Sequence, residues 1–200
     1  MAGTLSARHI VGGSTPAPLA WRLRNTLRWA FVQGWLQTVL ARWLAHLGLI
    51  SITSELRAIL VRGDGERINY GVVSRRKVTQ GGVGYLVDDW TAGTPRIFTM
   101  HYHASGTGTG AEANTDSALG TEVTDNARTD GTQSQPSANI MQSADTITYT
   151  GAHAITEHGI FNQATVAGSV LWDRSVFAAI NVASTDSIVF TYQCTVNYEA

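Results

Sequence analysis

The apolar positions near the end of the chain fall in four extended segments, residues 145–150, 154–161, 169–177 and 187–198, with Gly, Asn, Ser and Asp clusters between them. That spacing predicts an antiparallel meander. The last run is the clearest. Ile188, Phe190, Tyr192, Cys194, Val196 and Tyr198 alternate with Val189, Thr191, Gln193, Thr195 and Asn197, which gives one apolar and one mainly polar face. Such a strand belongs in a sheet with one face on a core and the other on solvent.

Earlier runs extend the pattern. Residues 54–64 read as a mostly apolar strand ending in the turn signal Gly63-Asp64-Gly65, and residues 68–74 as its return. Thr79 is placed to cap a short helix carrying Val83, Leu86, Val87 and Trp90. Residues 96–103 read as one further strand, and residues 105–118 and 125–137 as two polar connections too hydrophilic for a core. The predicted fold is mainly β, an antiparallel β-sandwich of jelly-roll type, occupying residues 51–200.

Residues 1–50 have a different pattern. The first 18 contain Gly pairs and two prolines without apolar period, as an extended arm does. From 19 to 49 the period becomes helical: Trp29, Val32, Leu36, Val39, Leu40, Trp43 and Leu47 share one arc, with Thr38, Arg42 and His46 on the other side. Gln33, Gln37, Arg42 and His46 interrupt the stretch, and a mid-helix Arg costs about 2.5–3.5 kcal/mol on insertion, so no membrane span is expected. Arg22, Arg24 and Arg28 load the first turns, where the helix dipole prefers acids. Together with Trp21, Trp29, Trp35 and Trp43 they have the composition of a partner-binding surface, because Trp and Arg dominate protein interfaces.

Charge sharpens that division. Residues 1–77 hold eleven Lys and Arg against Glu55, Asp64 and Glu66, a net of +8, whereas residues 78–200 hold three against twelve acids, a net of −9. A basic leader and an acidic body follow. The arginines are sparse and interleaved with Trp, unlike the dense basic tails that bind phosphate backbones, so nucleic acid is not the expected partner. With 14% charged residues the chain falls below the roughly 25% of ordinary soluble domains, which suits sheets and Thr/Gly-rich loops. The start lacks the continuous apolar run of a secretory signal, and the single Cys194 allows no internal disulfide; on an apolar strand face it acts as a small hydrophobe.

Candidate chemistry is thin. Gly106-Thr107-Gly108-Thr109-Gly110 has the look of a phosphate loop but lacks the Gly-Lys-Ser/Thr and the strand–helix context that such loops require. Arg62-Gly63-Asp64 is a turn before it is an adhesion motif. His101, His103, His153 and His158 are the residues a jelly-roll metal site would draw on, yet nothing in their spacing makes them converge, and no metal or other cofactor is expected. Glu157, Asp173 and Asp186 are the available carboxylates for acid–base work, with Asp173 and Arg174 adjacent as a turn and charge pair; no nucleophile motif accompanies them, and no catalytic residue or small-molecule substrate is assigned.

Five segments carry a resemblance: residues 69–79 (NYGVVSRRKVT), 82–88 (GVGYLVD), 103–108 (HASGTG), 155–161 (ITEHGIF) and 171–177 (LWDRSVF). Together they resemble a family of tailed-bacteriophage virion proteins, over roughly residues 54–198. The resemblance implies a non-enzymatic structural protein of the virion, of the capsid decoration or cement kind, on the capsid surface. Its expected partners are the major capsid protein and copies of itself, a homotrimer by analogy with other decoration proteins. A tail, baseplate or fibre component is the alternative, and a carbohydrate-binding or metal-binding jelly-roll domain a further one. Residues 1–50 lie outside the resemblance.

Overall fold

The computed structural model describes residues 14–32, 43, 50–76, 78–93 and 96–197, with the side chains of 27–32 and 76 excepted. Its strands are β1 (Thr15–Pro16), β2 (Ser51–Val61), β3 (Arg67–Arg76), β4 (Tyr102–Gly106), β5 (Thr129–Asp130), β6 (Thr132–Ser137), β7 (Ile140–Thr148), β8 (His153–Phe161), β9 (Leu171–Val182) and β10 (Ser187–Asn197). Two α-helices, α1 (Leu19–Val32) and α2 (Gln80–Thr91), and a 3-10 turn at Ile97–Thr99 complete them. One sheet runs β1-β3-β2-β10-β7-β6 and the other β5-β4-β8-β9, antiparallel throughout except where β1 joins β3 in parallel. The two sheets face each other as a β-sandwich.

The core lies between them because alternation aims every second side chain inward. From the first sheet come Leu56, Ala58, Leu60, Ile147, Ile188, Phe190 and Tyr192; from the second Ile155, Ile160, Trp172, Phe177, Ile180 and Val182. As expected, β10 has one apolar face, with Ile188, Phe190, Tyr192 and Cys194 all buried, and it lies central between β2 and β7. Trp172 Nε1 donates to the Tyr192 hydroxyl at 2.9 Å, so the polar ends of two large core side chains satisfy each other.

Three elements differ from expectation for identifiable reasons. Residues 96–103 do not form one strand: Asp89 takes the Arg96 N–H, Thr99 N–H returns to Arg96 O at 2.8 Å, and the chain turns before β4 begins. The polar connection at 125–137 contains β5 and β6, and all six residues of β6 are exposed. An edge strand with neither face buried leaves no alternation to read. Helix α1 is described from Leu19 to Val32; residues 33–42 and 44–49 of the expected longer helix lie outside the described residues.

Helix α1 is docked on its own sandwich. Trp21, 8% exposed, stacks edge-on against Tyr70 of β3 with ring centres 4.6 Å apart, and its Nε1 donates to Ala178 O at 3.0 Å and Ala179 O at 3.1 Å on β9. Buried Asn25 bridges the same gap: Nδ2 donates to Val73 O of β3 at 3.4 Å, while Oδ1 accepts from Ala178 N of β9 at 3.3 Å. Farther along β9, Thr79 N donates to Trp172 O at 2.8 Å and Val176 N donates to Glu112 Oε1 at 2.6 Å. The outer edge of β9 is therefore covered by other parts of the chain, the usual protection of a strand that would otherwise recruit another chain.

Candidate functional site

The four candidate metal histidines go to three places. On β4 and β8 the pairing of Ser105 with His158 sets His103 and His158 side by side, His103 Nδ1 to His158 Nε2 at 3.0 Å. His103 Nε2 meets Ser143 Oγ of β7 at 2.8 Å, so the cluster ties the two sheets together. His101 instead pairs with Asp130 at 3.1 Å, and His153 with Asp125 at 2.8 Å. Among the described residues no group of three or more His, Cys, Asp or Glu side chains stands close enough to hold one ion.

His103 and His158 are 0% and 1% exposed. Burial pushes His103 down to about 4; the Asp145 carboxylate pulls the other way, and His101 adds to the depression. His158 is held well below its ordinary value by burial and then by His103. Burial keeps both rings neutral at pH 7, and the contact itself excludes a pair of imidazolium ions, because facing nitrogens need one donor and one acceptor. Asp145 Oδ2 and His101 Nδ1 are buried without a hydrogen-bond partner.

The glycine-rich segment after β4 cradles an anion, and the anion is its own chain's. Glu157 of β8, 0% exposed, accepts from Gly108 N at 2.9 Å and Thr121 N at 2.7 Å through Oε1, and from Gly120 N at 3.0 Å through Oε2. Arg174 of β9 adds Nε at 2.9 Å and Nη2 at 2.8 Å, and its Nη1 reaches Asp116 at 2.9 Å. Burial raises the Glu157 carboxyl, but the backbone donors of Thr121 and Gly120 with Arg174 outweigh it, so the group stays below its ordinary value. A Cβ at Gly108 would strike the Glu157 carboxylate, which explains glycine there. The adjacent pair Asp173 and Arg174 is not a charge pair: on a strand the two diverge, and Asp173 takes Ser54 Oγ at 2.5 Å and Ser175 Oγ at 3.1 Å.

The remaining groups are similarly engaged. Asp186 accepts from Arg62 Nη1 at 2.6 Å, Gly63 N at 3.0 Å and Ala183 N at 2.8 Å, which folds the Arg62-Gly63-Asp64 turn onto the body by its arginine. The Cys194 thiol is pushed up to about 12 by burial and then by the charge of Asp173, so it is not a nucleophile at neutral pH.

The outer surface is where large side chains are unsatisfied. Of the residues expected to bind a partner, Trp21 is corrected: its indole is spent inside its own chain. Arg22 and Arg24 are exposed, and Trp43 is 68% exposed. The side chains of Arg28 and Trp29, and Trp35 altogether, lie outside the described residues. Sequence reasoning missed a second surface. Thr79 caps α2, its Oγ1 accepting from Gly82 N at 3.0 Å, and the helix turns Gly82, Tyr85 and Leu86 inward. Val83, Val87 and Trp90, at i, i+4 and i+7, are left facing solvent, with Trp90 76% exposed and Phe98 exposed on the neighbouring turn. The available signal was the spacing of Val83, Val87 and Trp90 beside Tyr85 and Leu86, more apolar positions than one packed side of a short helix uses.

No family model, curated protein or solved structure matches the chain. No described helix is long and apolar enough to cross a membrane.

Proposed function

We propose that this chain is a non-enzymatic structural protein of a tailed-bacteriophage virion, a decoration or cement protein that binds the major capsid protein on the capsid surface and stabilises the head. One observation carries the reading: the buried ionisable groups Glu157, Arg174, His103 and His158 are engaged within the chain, whereas large apolar side chains, Trp43, Ile50 and Trp90 among them, stand exposed on the surface. Exposed apolar patches on a body of this kind mark contact surfaces. The five sequence segments that resemble virion proteins give the contact its setting. Trp43 and Ile50, 68% and 75% exposed at the far end of the basic leader, are the anchors for the capsid, with aromatic and aliphatic burial supplying affinity and basic residues steering toward an acidic lattice.

The test is reconstitution. Purified protein is mixed with heads and, separately, with tails of the phage whose particles carry it, and bound protein is counted after sedimentation. Saturable binding to heads at a fixed ratio to the major capsid protein, weakened at least tenfold by Trp43→Ala with Ile50→Ala, is expected. Binding to tails alone, or to neither, overturns the capsid reading.

A further inference from the structure

Helices α1 and α2 lie against β9, and the 107–121 loop is drawn to Glu157 of the second sheet, so among the described residues the outer face of the first sheet is left open. Its composition follows from the register, because directly opposite residues of neighbouring strands share a face. Glu55 of β2 lies beside Arg75 of β3 and Gln193 of β10, and Arg57 lies beside Val72 and Thr191. One step further along β2, Ile59 lies beside Val189. From β10 to β7 the paired outward positions are uncharged hydroxyl, amide and apolar side chains, Gln142, Ala144 and Thr146 among them. Glu55 is the one acid among all these paired positions, against Arg57, Arg67 and Arg75.

Two of these arginines are held ready. Arg75 donates Nε at 2.9 Å and Nη2 at 2.7 Å to Glu55 Oε2, and Arg57 Nη2 stands 2.5 Å from Glu55 Oε1, with both arginine side chains about half exposed. One carboxylate thus orients two guanidinium groups and leaves one positive charge uncompensated. An arginine fixed in this way loses less rotamer freedom on meeting a second carboxylate than a free one would. Val72, Ile59 and Val189, each partly exposed, lie next to the pair. Arginine beside an apolar centre, with a hydroxyl and amide rim and almost no acid, is the anatomy of a contact with protein. No aromatic side chain stands among the paired outward positions to stack on a base, and three arginines are few for a phosphate backbone.

We infer that the outer face of β3, β2 and β10 is a docking surface for an acidic segment of another protein, with the Arg57–Arg75 pair taking its carboxylates and Ile59, Val72 and Val189 taking the aliphatic side chains between them. Positive charge on this face selects an acidic partner and opposes a basic one. Glu55 is a positioning residue: it sets the two guanidinium groups side by side and stays in place when the partner binds. Arg67 stands at the turn end of the hairpin beside Asp64 and Glu66 in sequence, and is left out of the pair. Hydrogen bonding to β3 on one side and β10 on the other keeps β2 rigid, so the partner meets a surface already formed. The inference does not rest on the capsid reading, since it uses neither Trp43 nor Ile50.

The experiment uses the full-length protein and the fluorescence anisotropy of a labelled peptide of alternating Glu and Val at low salt. Saturable binding is expected, lost when the peptide carries Gln in place of Glu, and weakened at least tenfold by Arg57→Gln with Arg75→Gln. Arg22→Gln with Arg24→Gln removes the same charge from α1, away from this face, and is expected to bind within about twofold of wild type. All four arginines are exposed, so both double variants should keep the wild-type circular dichroism. A single-stranded oligonucleotide of matched charge is expected to bind more weakly than the peptide. Absence of peptide binding, an Arg57–Arg75 variant that binds as wild type, equal loss in the two double variants, or tighter binding of the oligonucleotide would each overturn the inference. The test on heads reads Trp43 and Ile50 and this one reads Arg57 and Arg75, so either can fail without the other.

Discussion

Acid should loosen the sandwich well above the pH at which carboxylates titrate, and the buried His103–His158 pair is the reason. The unfolded chain takes a proton on His103 near the ordinary value of 6.5; the folded chain refuses it until about 4. Between those limits the unfolded state binds more protons, so stability is complete above 6.5, falls as pH falls, and levels off for this group below about 4. The loss from His103 alone amounts to about 1 kcal/mol at pH 5.5 and levels off at about 3 kcal/mol toward pH 4. His158, depressed in the same direction, adds to it. The charged and titratable neighbours are Asp145, which favours the proton on His103, and His101, which opposes it; Ser143 is neutral. Glu157 and Asp186 also lose stabilising interactions in acid, but only below the ordinary carboxylate range, because both are held beneath it. Urea unfolding at pH 7.5, 6.5, 5.5 and 4.5 reads the effect directly. In His103→Gln the slope between 6.5 and 4.5 should fall by at least half while stability at pH 7.5 drops. A wild-type stability flat across that window, or an unchanged slope in the variant, would refute the reasoning.

Other consequences are open to measurement. Glu157→Gln leaves the buried Arg174 guanidinium with Asp116 as its remaining carboxylate and should cost about 3 kcal/mol in denaturant unfolding, with cleavage of the 107–121 loop by added protease becoming faster. Trp21→Ala removes the clasp on β9 and should cost about 3–5 kcal/mol, with turbidity on heating at lower temperature; a variant as stable as wild type would show that α1 is dispensable to the fold. Cys194 should resist a colorimetric disulfide reagent in the folded protein and react at once in urea, since its thiol is buried and raised.

The last strand of the sandwich was legible because β10 buries one face, and burial of one face is what writes alternation into a sequence; β8 and the first half of β9 are buried on both faces and carry no such alternation. Strand β6 was not, because all six of its residues face solvent and its membership rests on backbone pairing with β7 alone. The histidine pair was half visible: four histidines could be counted, but only the register that sets Ser105 opposite His158 determines which two meet. Trp21 was placed on a partner surface for a physical reason. A helix with a helical apolar period must pack on something, and the period is the same whether that surface is the chain's own sheet or another molecule. The inward choice at Trp21 was decided by the open carbonyls of Ala178 and Ala179, which lie 157 and 158 residues further along the chain.

That separation bears on synthesis. A ribosome releases Trp21 of α1 157 residues before Ala178 of β9, so the clasp cannot shut until most of the sandwich between them has been made. Until then the Trp21 indole has no carbonyl to receive its hydrogen bond, and any product that stops short of residue 178 retains an adhesive flank. Premature termination late in this gene should therefore yield insoluble protein, where an early stop would yield only a short, harmless peptide.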